Sequence, residues 1–462
     1  MSRRDTFVFT SAALRNLSLQ QELLDLETER RALARWCAGR RRRFFPEARK
    51  IIISRPLPGA EPKYCRDSAF HNALFTGDLD KIICFFNDEA TSNMIIETLN
   101  DELVWSPEMG FWALTPKLKY TSGLRITSGK GYTACAKLLL HKGADVNASP
   151  GGLSALHDAC AGGFTDCAQL LLSYGANPNI LSKEGRAPMH LCTTPKTYQC
   201  AKLLLEFGAN VNIPTRDSQV SPLHVAAQHG LEEHLNLYLC RGAHVCSRTR
   251  EGETALNIAC ASAEKPAEDR RYYRVVLKLL SGGADVRVAG KKNHTPLHNA
   301  CSNCSYRIVD LLLQHGAAVN QKNCAGYTPM DCVLQGVKDY LDWRPEGIVL
   351  CLLNHGASPV NPKMLKLCSL SPRTMEVILN SYEHIPLCDS WAESVPPELW
   401  QEHHIFYSSV VHMTNQPRSL QHLARCAIRG YLDGHCLSTI TQLQIPHSLQ
   451  EYLLLRIEGA IK

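Results

Sequence analysis

Apolar residues along this chain recur with two nested periods. Leucine triplets at 138–140, 170–172, 203–205 and 311–313 sit in otherwise polar helical stretches. Upstream stand tetrads: SALH at Ser154, APMH at Ala187, SPLH at Ser221, TALN at Thr254, TPLH at Thr295 and TPMD at Thr328, separated by 33, 34, 33, 41 and 33 residues. In phase with them run Gly-Ala pairs at Gly143, Gly175, Gly208, Gly242, Gly283, Gly316 and Gly356. Each feature has a local reason. The tetrad starts a short helix, with Pro where a missing N–H costs nothing and His able to tie the backbone of neighbouring turns. The triplet gives a second helix its apolar face, the Gly allows a left-handed backbone at that helix's end, and the polar residues that follow form a projecting hairpin. No such unit buries its apolar face alone, so stacking is obligatory and an all-α solenoid is expected.

Degenerate copies at 68–86, 122–147 and 364–382 bring the expected count to about nine, with atypical units at the ends. Three insertions break the period, near 88–120, 264–271 and 339–345. Insertions in a solenoid map to loops, often on the binding face. The first carries Trp105, Phe111 and Trp112, which either anchor a target protein or pack on the flanking helices.

Both ends of the chain depart from this pattern. Residues 11–38 read as a helix, followed by a basic, proline-punctuated linker, so that 1–62 precedes the array. From Pro417 to Leu455, the residues Leu420, Leu423, Ala424, Ala427, Ile428 and Tyr431 fall on one helical face, with Arg425 and Arg429 away from it and Ser419 placed to cap. Such a helix either packs on its own domain or docks on a partner.

Composition changes this picture little. The 462 residues contain no run of about 18 apolar positions and no secretory leader, which implies a cytoplasmic protein with a nuclear location left open. Twenty cysteines in such a chain are expected to be reduced and buried as small residues. Of the net +6, residues 30–50 hold +8, leaving −2 for the other 441. The basicity is local to the Arg40–Arg43 region, a nuclear address, a phosphate-contacting patch or a solvated segment, and nucleic-acid binding by the whole chain is poorly supported.

Catalytic readings fail on spacing. His157, His190, His224 and His298 recur once per unit, which assigns them to turn hydrogen bonding, and Cys160, Cys260 and Cys301 share one small-residue slot. Cys301 and Cys304 form a lone C-x-x-C without a second pair at zinc spacing. No phosphate-cradling loop or nucleophile elbow is present, so no cofactor or metal is expected and the chain is read as one that binds.

The tetrads, triplets and Gly-Ala turns together resemble the ankyrin repeat over about 300 residues. After them, SLQHLARCAI at Ser419–Ile428 resembles the elongin-binding box of the SOCS-box family, and LQIP at Leu443–Pro446 resembles its cullin-selecting box, with Gln444 in place of the usual first Pro. The chain as a whole is similar to the ankyrin repeat and SOCS box family. The resemblance implies an ankyrin array over 63–385, a linker over 386–404 and a small three-helix SOCS box over 405–462. It implies a non-catalytic substrate receptor of a ubiquitin ligase that directs a bound protein to degradation. Elongin C, with elongin B, would be held by Ser419, Leu420, Leu423, Ala424 and Ile428, and cullin-5 with its RING partner by Leu443, Ile445 and Pro446; the target is unidentified. The competing reading is a scaffold whose terminal helices only cap the array.

Overall fold

The tetrads do open helices, and they join each unit to the next. In the computed structural model, which describes residues 63–106, 111–385, 389–432 and 434–461, helices start at Ala155, Pro222, Ala255, Pro296 and Pro329. His157 Nδ1 accepts from the Ser154 hydroxyl at 2.8 Å, while its Nε2–H donates to Arg186 O, in the following finger, at 2.9 Å. His190, His224 and His298 repeat this through the carbonyls of Val220, Ser247 and Tyr327. Burial holds all four below the ordinary histidine range, so each is a neutral ring with one donor and one acceptor, both used. The N-terminal helix and basic linker expected over 1–62 lie outside the described residues.

The second helices, such as Thr165–Ser173 and Tyr198–Glu206, bury Leu171 and Leu204 completely against neighbouring units. Gly175 and Gly208 then adopt φ of 86° and 82°, which ends each helix and turns the chain into the finger. The fingers are tight turns, closed for example by Ser182 N–H to Arg186 O at 2.8 Å and Gly185 N–H to Ser182 O at 2.9 Å. One first helix is cut short: in PMHLCTTPK the prolines leave only short 3-10 turns at Pro188–Leu191 and Pro195–Thr197. Cys160, Cys260 and Cys301 are fully buried, and every cysteine among the described residues is free.

The insertion near 88–120 is no irregular loop. It forms a long hairpin of β2 (Ile95–Ser106) and β3 (Phe111–Ser122), with β1 (Tyr64–Cys65) added in parallel beside the start of β2. Pro116 is tolerated because β3 is an edge strand. Trp105 faces Trp112 and Ser106 faces Phe111 across the ladder. Trp105 lies nine residues of strand beyond the buried Ile96 at the base, a reach of roughly 30 Å at about 3.3 Å per residue. The helical solenoid expected from the spacing therefore holds, with this one small sheet added to it. The 264–271 insertion becomes a 3-10 turn and the first part of the helix Asp269–Ser281. That near 339–345 becomes a 3-10 turn, Leu341–Trp343, leading into α1 (Pro345–Asn354).

The array closes with α2 (Pro372–Leu379) and α3 (His404–Met413). The stretch expected as a linker over 386–404 carries the helix Pro397–Glu402 and a stack of rings, with Trp400 5.0 Å from Tyr407 and 6.2 Å from Trp391. Tyr407 is fully buried and donates to Ser369 O at 2.8 Å, so α3 shares the core of the array. Then come α4 (Leu420–Leu432), α5 (Cys436–Ile440) and α6 (His447–Leu453). The tail returns to α2, where the buried carboxylate of Glu376 accepts from the N–H groups of Glu458 and Gly459. No helix among the described residues is long and apolar enough to cross a membrane.

Candidate partner-docking site

Helix α4 is inside out. Ser419 caps it, its hydroxyl accepting from the His422 N–H at 3.3 Å. The apolar stripe then faces water: Leu420 is 85% exposed, Tyr431 90%, and Leu423, Ala424 and Ile428 are exposed with them. The polar stripe is the buried one, Arg418, His422 and Arg425 each being at most 5% exposed. An ordinary amphipathic helix does the reverse. The arginines expected to fall away from the apolar face do so, and they point into the array.

The charge on that buried stripe is matched by helix ends. Arg429 Nη1 donates to Asn354 Oδ1 at 2.7 Å and Leu453 O at 2.8 Å, and Nη2 to Leu353 O at 3.1 Å. Arg425 reaches Tyr452 O at 3.4 Å and, through Nη2, Asn380 O at 3.3 Å and Oδ1 at 3.2 Å, with its guanidinium 4.3 Å above the Tyr452 ring. Thus the C-termini of α1, α2 and α6 converge on the arginines. Each presents its last carbonyls, which can accept a further bond, and the negative end of a helix dipole. Burial, aided by mutual repulsion between Arg418 and Arg425, still pushes the Arg418 guanidinium below its ordinary range. His422 completes the arrangement as a neutral ring. Its Nδ1 accepts from Arg418 at 2.9 Å and Arg425 at 2.8 Å, and its Nε2–H donates to Tyr382 O at 2.7 Å. Burial first, with the two positive neighbours adding to it, lowers the His422 pKa to about 4.

The second motif is split by a small core of Cys436, Ile440 and Leu453. Ile445 packs half-buried on that core, whereas Leu443 and Pro446 on either side of it are exposed, as is Gln444. Leu437 and Leu449, 40% and 44% exposed, are further apolar surface that the motif reading missed. Of the stripe Arg418, His422, Arg425 and Arg429, the last two were placed away from the apolar face and the first two were missed. The steps of four, three and four residues along this stripe match those of the apolar stripe, and they are the signal that marks a buried helical face of the opposite polarity. Trp105, Phe111 and Trp112 lie in a different element, near the far end of the hairpin.

Two family models match the chain: the SOCS box over residues 416–454, which spans α4 to α6, and the ankyrin repeats (3 copies) over 124–215 and 263–362. Ankyrin repeat and SOCS box protein 16 of Mus musculus is 52% identical over 458 residues, covering 99% of each chain. The chain belongs to the ankyrin repeat and SOCS box family. Ankyrin repeat and SOCS box protein 18 of Homo sapiens is 43% identical over 403 residues, covering 84% of this chain and 86% of that one. Ankyrin repeat and SOCS box membership carries the role of a substrate-recognition adaptor of a cullin-RING ubiquitin ligase, a non-catalytic role in which the ligase activity resides in other subunits.

Proposed function

We propose that the chain is the receptor of an elongin–cullin-5 ubiquitin ligase that presents a bound protein for ubiquitination and degradation. One observation carries the reading: α4 spends its polar face on the array and leaves its apolar face to water. Fully burying a leucine is worth about 1.5–3 kcal/mol, so a helix that leaves Leu420 85% exposed gives up that stabilisation within the chain. A partner recovers it. In this reading Leu420 is the central anchor on elongin C, and Ser419, Leu423, Ala424 and Ile428 widen the contact, with Tyr431 extending it by one more turn. Leu443 and Pro446 present the cullin-5 contact, and Ile445 sets the loop between them. Catalysis is by proximity: the receptor raises the effective concentration of a target lysine near the ubiquitin thioester and supplies no acid, base or nucleophile.

Capping, the competing role, accounts for the buried stripe of α4 and leaves the exposed one unexplained. Co-purification with elongins B and C separates the two. Loss of both on Leu420→Asp, in a chain that stays folded, is expected; their retention would remove the ligase reading and leave the scaffold.

A further inference from the structure

The fingers carry an ordered row of positive charge. Eight residues beyond the glycine that ends each second helix, Gly175 leads to Lys183, Gly208 to Arg216, Gly242 to Arg250 and Gly283 to Lys291. All four side chains are exposed. The fingers are stitched into one surface. Lys183 N–H donates to Gly152 O at 2.8 Å, Arg250 N–H to Ser218 O at 2.9 Å, and Lys291 N–H to Glu253 Oε1 at 2.8 Å. At the remaining joint, a Cβ on Gly185 would lie 2.3 Å from the Arg216 Cβ, so only glycine lets those two fingers close up. Among the described residues Lys183 and Arg216 form no ion pair, and the Arg250 guanidinium donates to the Asp217 carbonyl alone, at 3.4 Å. Lys291 pairs with Glu251 at 2.9 Å, both side chains being exposed, and exposed pairs contribute little.

Two features of this row select its partner. The first is stride. Packed helices lie about 8–10 Å apart, which sets the step from one stacked unit to the next. A polyproline II segment advances about 3.1 Å per residue and returns to the same face every third residue, or about 9 Å. A β-strand covers a similar distance in three residues but turns successive side chains to opposite faces, so it cannot hold every third side chain on one side. The second is that Glu184, Asp217 and Glu251 each directly follow a member of the row and are exposed beside it. A continuous polyanion would meet those carboxylates as well as the cations, whereas discrete acidic side chains with neutral spacers avoid them.

We propose that Lys183, Arg216, Arg250 and Lys291 form a docking track for an extended, acidic protein segment in polyproline II form with Asp or Glu at every third residue. That this segment belongs to a ubiquitination target rests on the receptor reading; the binding itself does not.

The test is fluorescence anisotropy with the full chain and two labelled peptides of equal composition, four Glu-Pro-Pro triplets and a block of four Glu followed by eight Pro. The periodic peptide is expected to bind at least about fivefold tighter than the block peptide and to weaken with salt. Arg216→Glu is expected to weaken it about tenfold or more, and Arg216→Gln less. Equal binding of both peptides, tighter binding of a duplex DNA probe, or binding unchanged in Arg216→Glu would overturn the track. Elongin capture by the same preparations reads the receptor function separately. Peptide binding without elongin capture sinks the receptor reading and leaves the track, and elongin capture without peptide binding does the opposite.

Discussion

Leu420 and His422 stand two residues apart on α4, the first 85% exposed and the second 1%. Two residues are about 200° of helical rotation, so they mark opposite faces, and the register of the helix is held by His422. The ring takes a hydrogen bond from Arg418 and another from Arg425 while giving one to Tyr382 O. Rotating α4 to bury Leu420 would strand three buried hydrogen bonds, two of them charged. The apolar stripe is therefore kept outward by the polar stripe beneath it.

Leu420→Asp is accordingly expected to separate binding from stability. An exposed position away from any packing contact changes stability by no more than about 0.5 kcal/mol. An interface anchor costs about 2–4 kcal/mol when lost, roughly 30- to 1,000-fold in affinity. Thermal unfolding of the variant alone should match the parent within about 2–4 °C, and capture of elongins B and C should fall to background. A large drop in the melting temperature would show instead that Leu420 packs on its own chain.

The pH dependence of the joint between α4 and the array follows from the same ring. The His422 pKa falls from the ordinary 6.5 to about 4, so the unfolded chain binds more protons between those values. Stability contributed by the neutral ring is full above about pH 6.5 and is lost as pH falls toward 4. Glu376, whose carboxyl is raised by burial, acts in the opposite sense, its contribution falling as pH rises through its elevated range. His234 also titrates at about 4 and adds to the acid loss. The His422 share is isolated by difference: the drop in melting temperature from pH 7 to pH 4.5 should be smaller in His422→Gln than in the parent. Equal drops would show that the ring does not titrate in that window.

What could be read from the sequence was local. The tetrads and Leu triplets announced the helices because a 33-residue period and a three-to-four spacing need no knowledge of distant residues. The outward face of α4 was also visible, as Leu420, Ala424 and Ile428. The hairpin was missed although LVWS and FWAL flank a four-residue link holding Pro107 and Gly110, a hairpin signature. The long period drew the reading toward an irregular insertion. The acceptors of the arginines could not be read at all. Arg429 meets Asn354 75 residues away and Arg425 meets Asn380 45 residues away, at helix ends brought together only by the turn of the last units.

Arg418 and Arg425 look equivalent in sequence and are expected to differ in energy. Arg425 is the donor to Asn380 O among the described residues and lies over the Tyr452 ring, whereas His422 Nδ1 would keep Arg418 and Tyr452 O would keep the Leu455 N–H, so Arg425→Met would leave the Asn380 carbonyl unpaired and cost about 1–3 kcal/mol. Arg418 bonds only through Nη2, while its buried Nε and Nη1 make no hydrogen bond. Arg418→Met removes that desolvation cost and leaves Arg425 on the His422 ring, so a change within about 1 kcal/mol of either sign is expected. Calorimetric unfolding of the two variants at pH 7 decides it. Equal losses would mean that the two guanidiniums act as one unit.

Gln444 is the departure from the cullin-selecting pattern, and it can be reversed. Gln444 is exposed, and its N–H takes no part in the backbone bonds around it, the neighbouring turn being closed by Ile445 N–H on Leu443 O at 2.9 Å. Proline at 444 thus removes no intramolecular bond, and it restricts Leu443 to extended conformations. A loop fixed before binding loses less freedom on docking. Gln444→Pro is therefore expected to bind cullin-5 several-fold tighter in the presence of elongins B and C, with elongin capture itself unchanged. Pro446→Ala, which releases the start of α6, should weaken cullin-5 binding under the same conditions. Surface plasmon resonance on immobilised cullin-5 reads both variants, and no change from Gln444→Pro would place the cullin contact outside this loop.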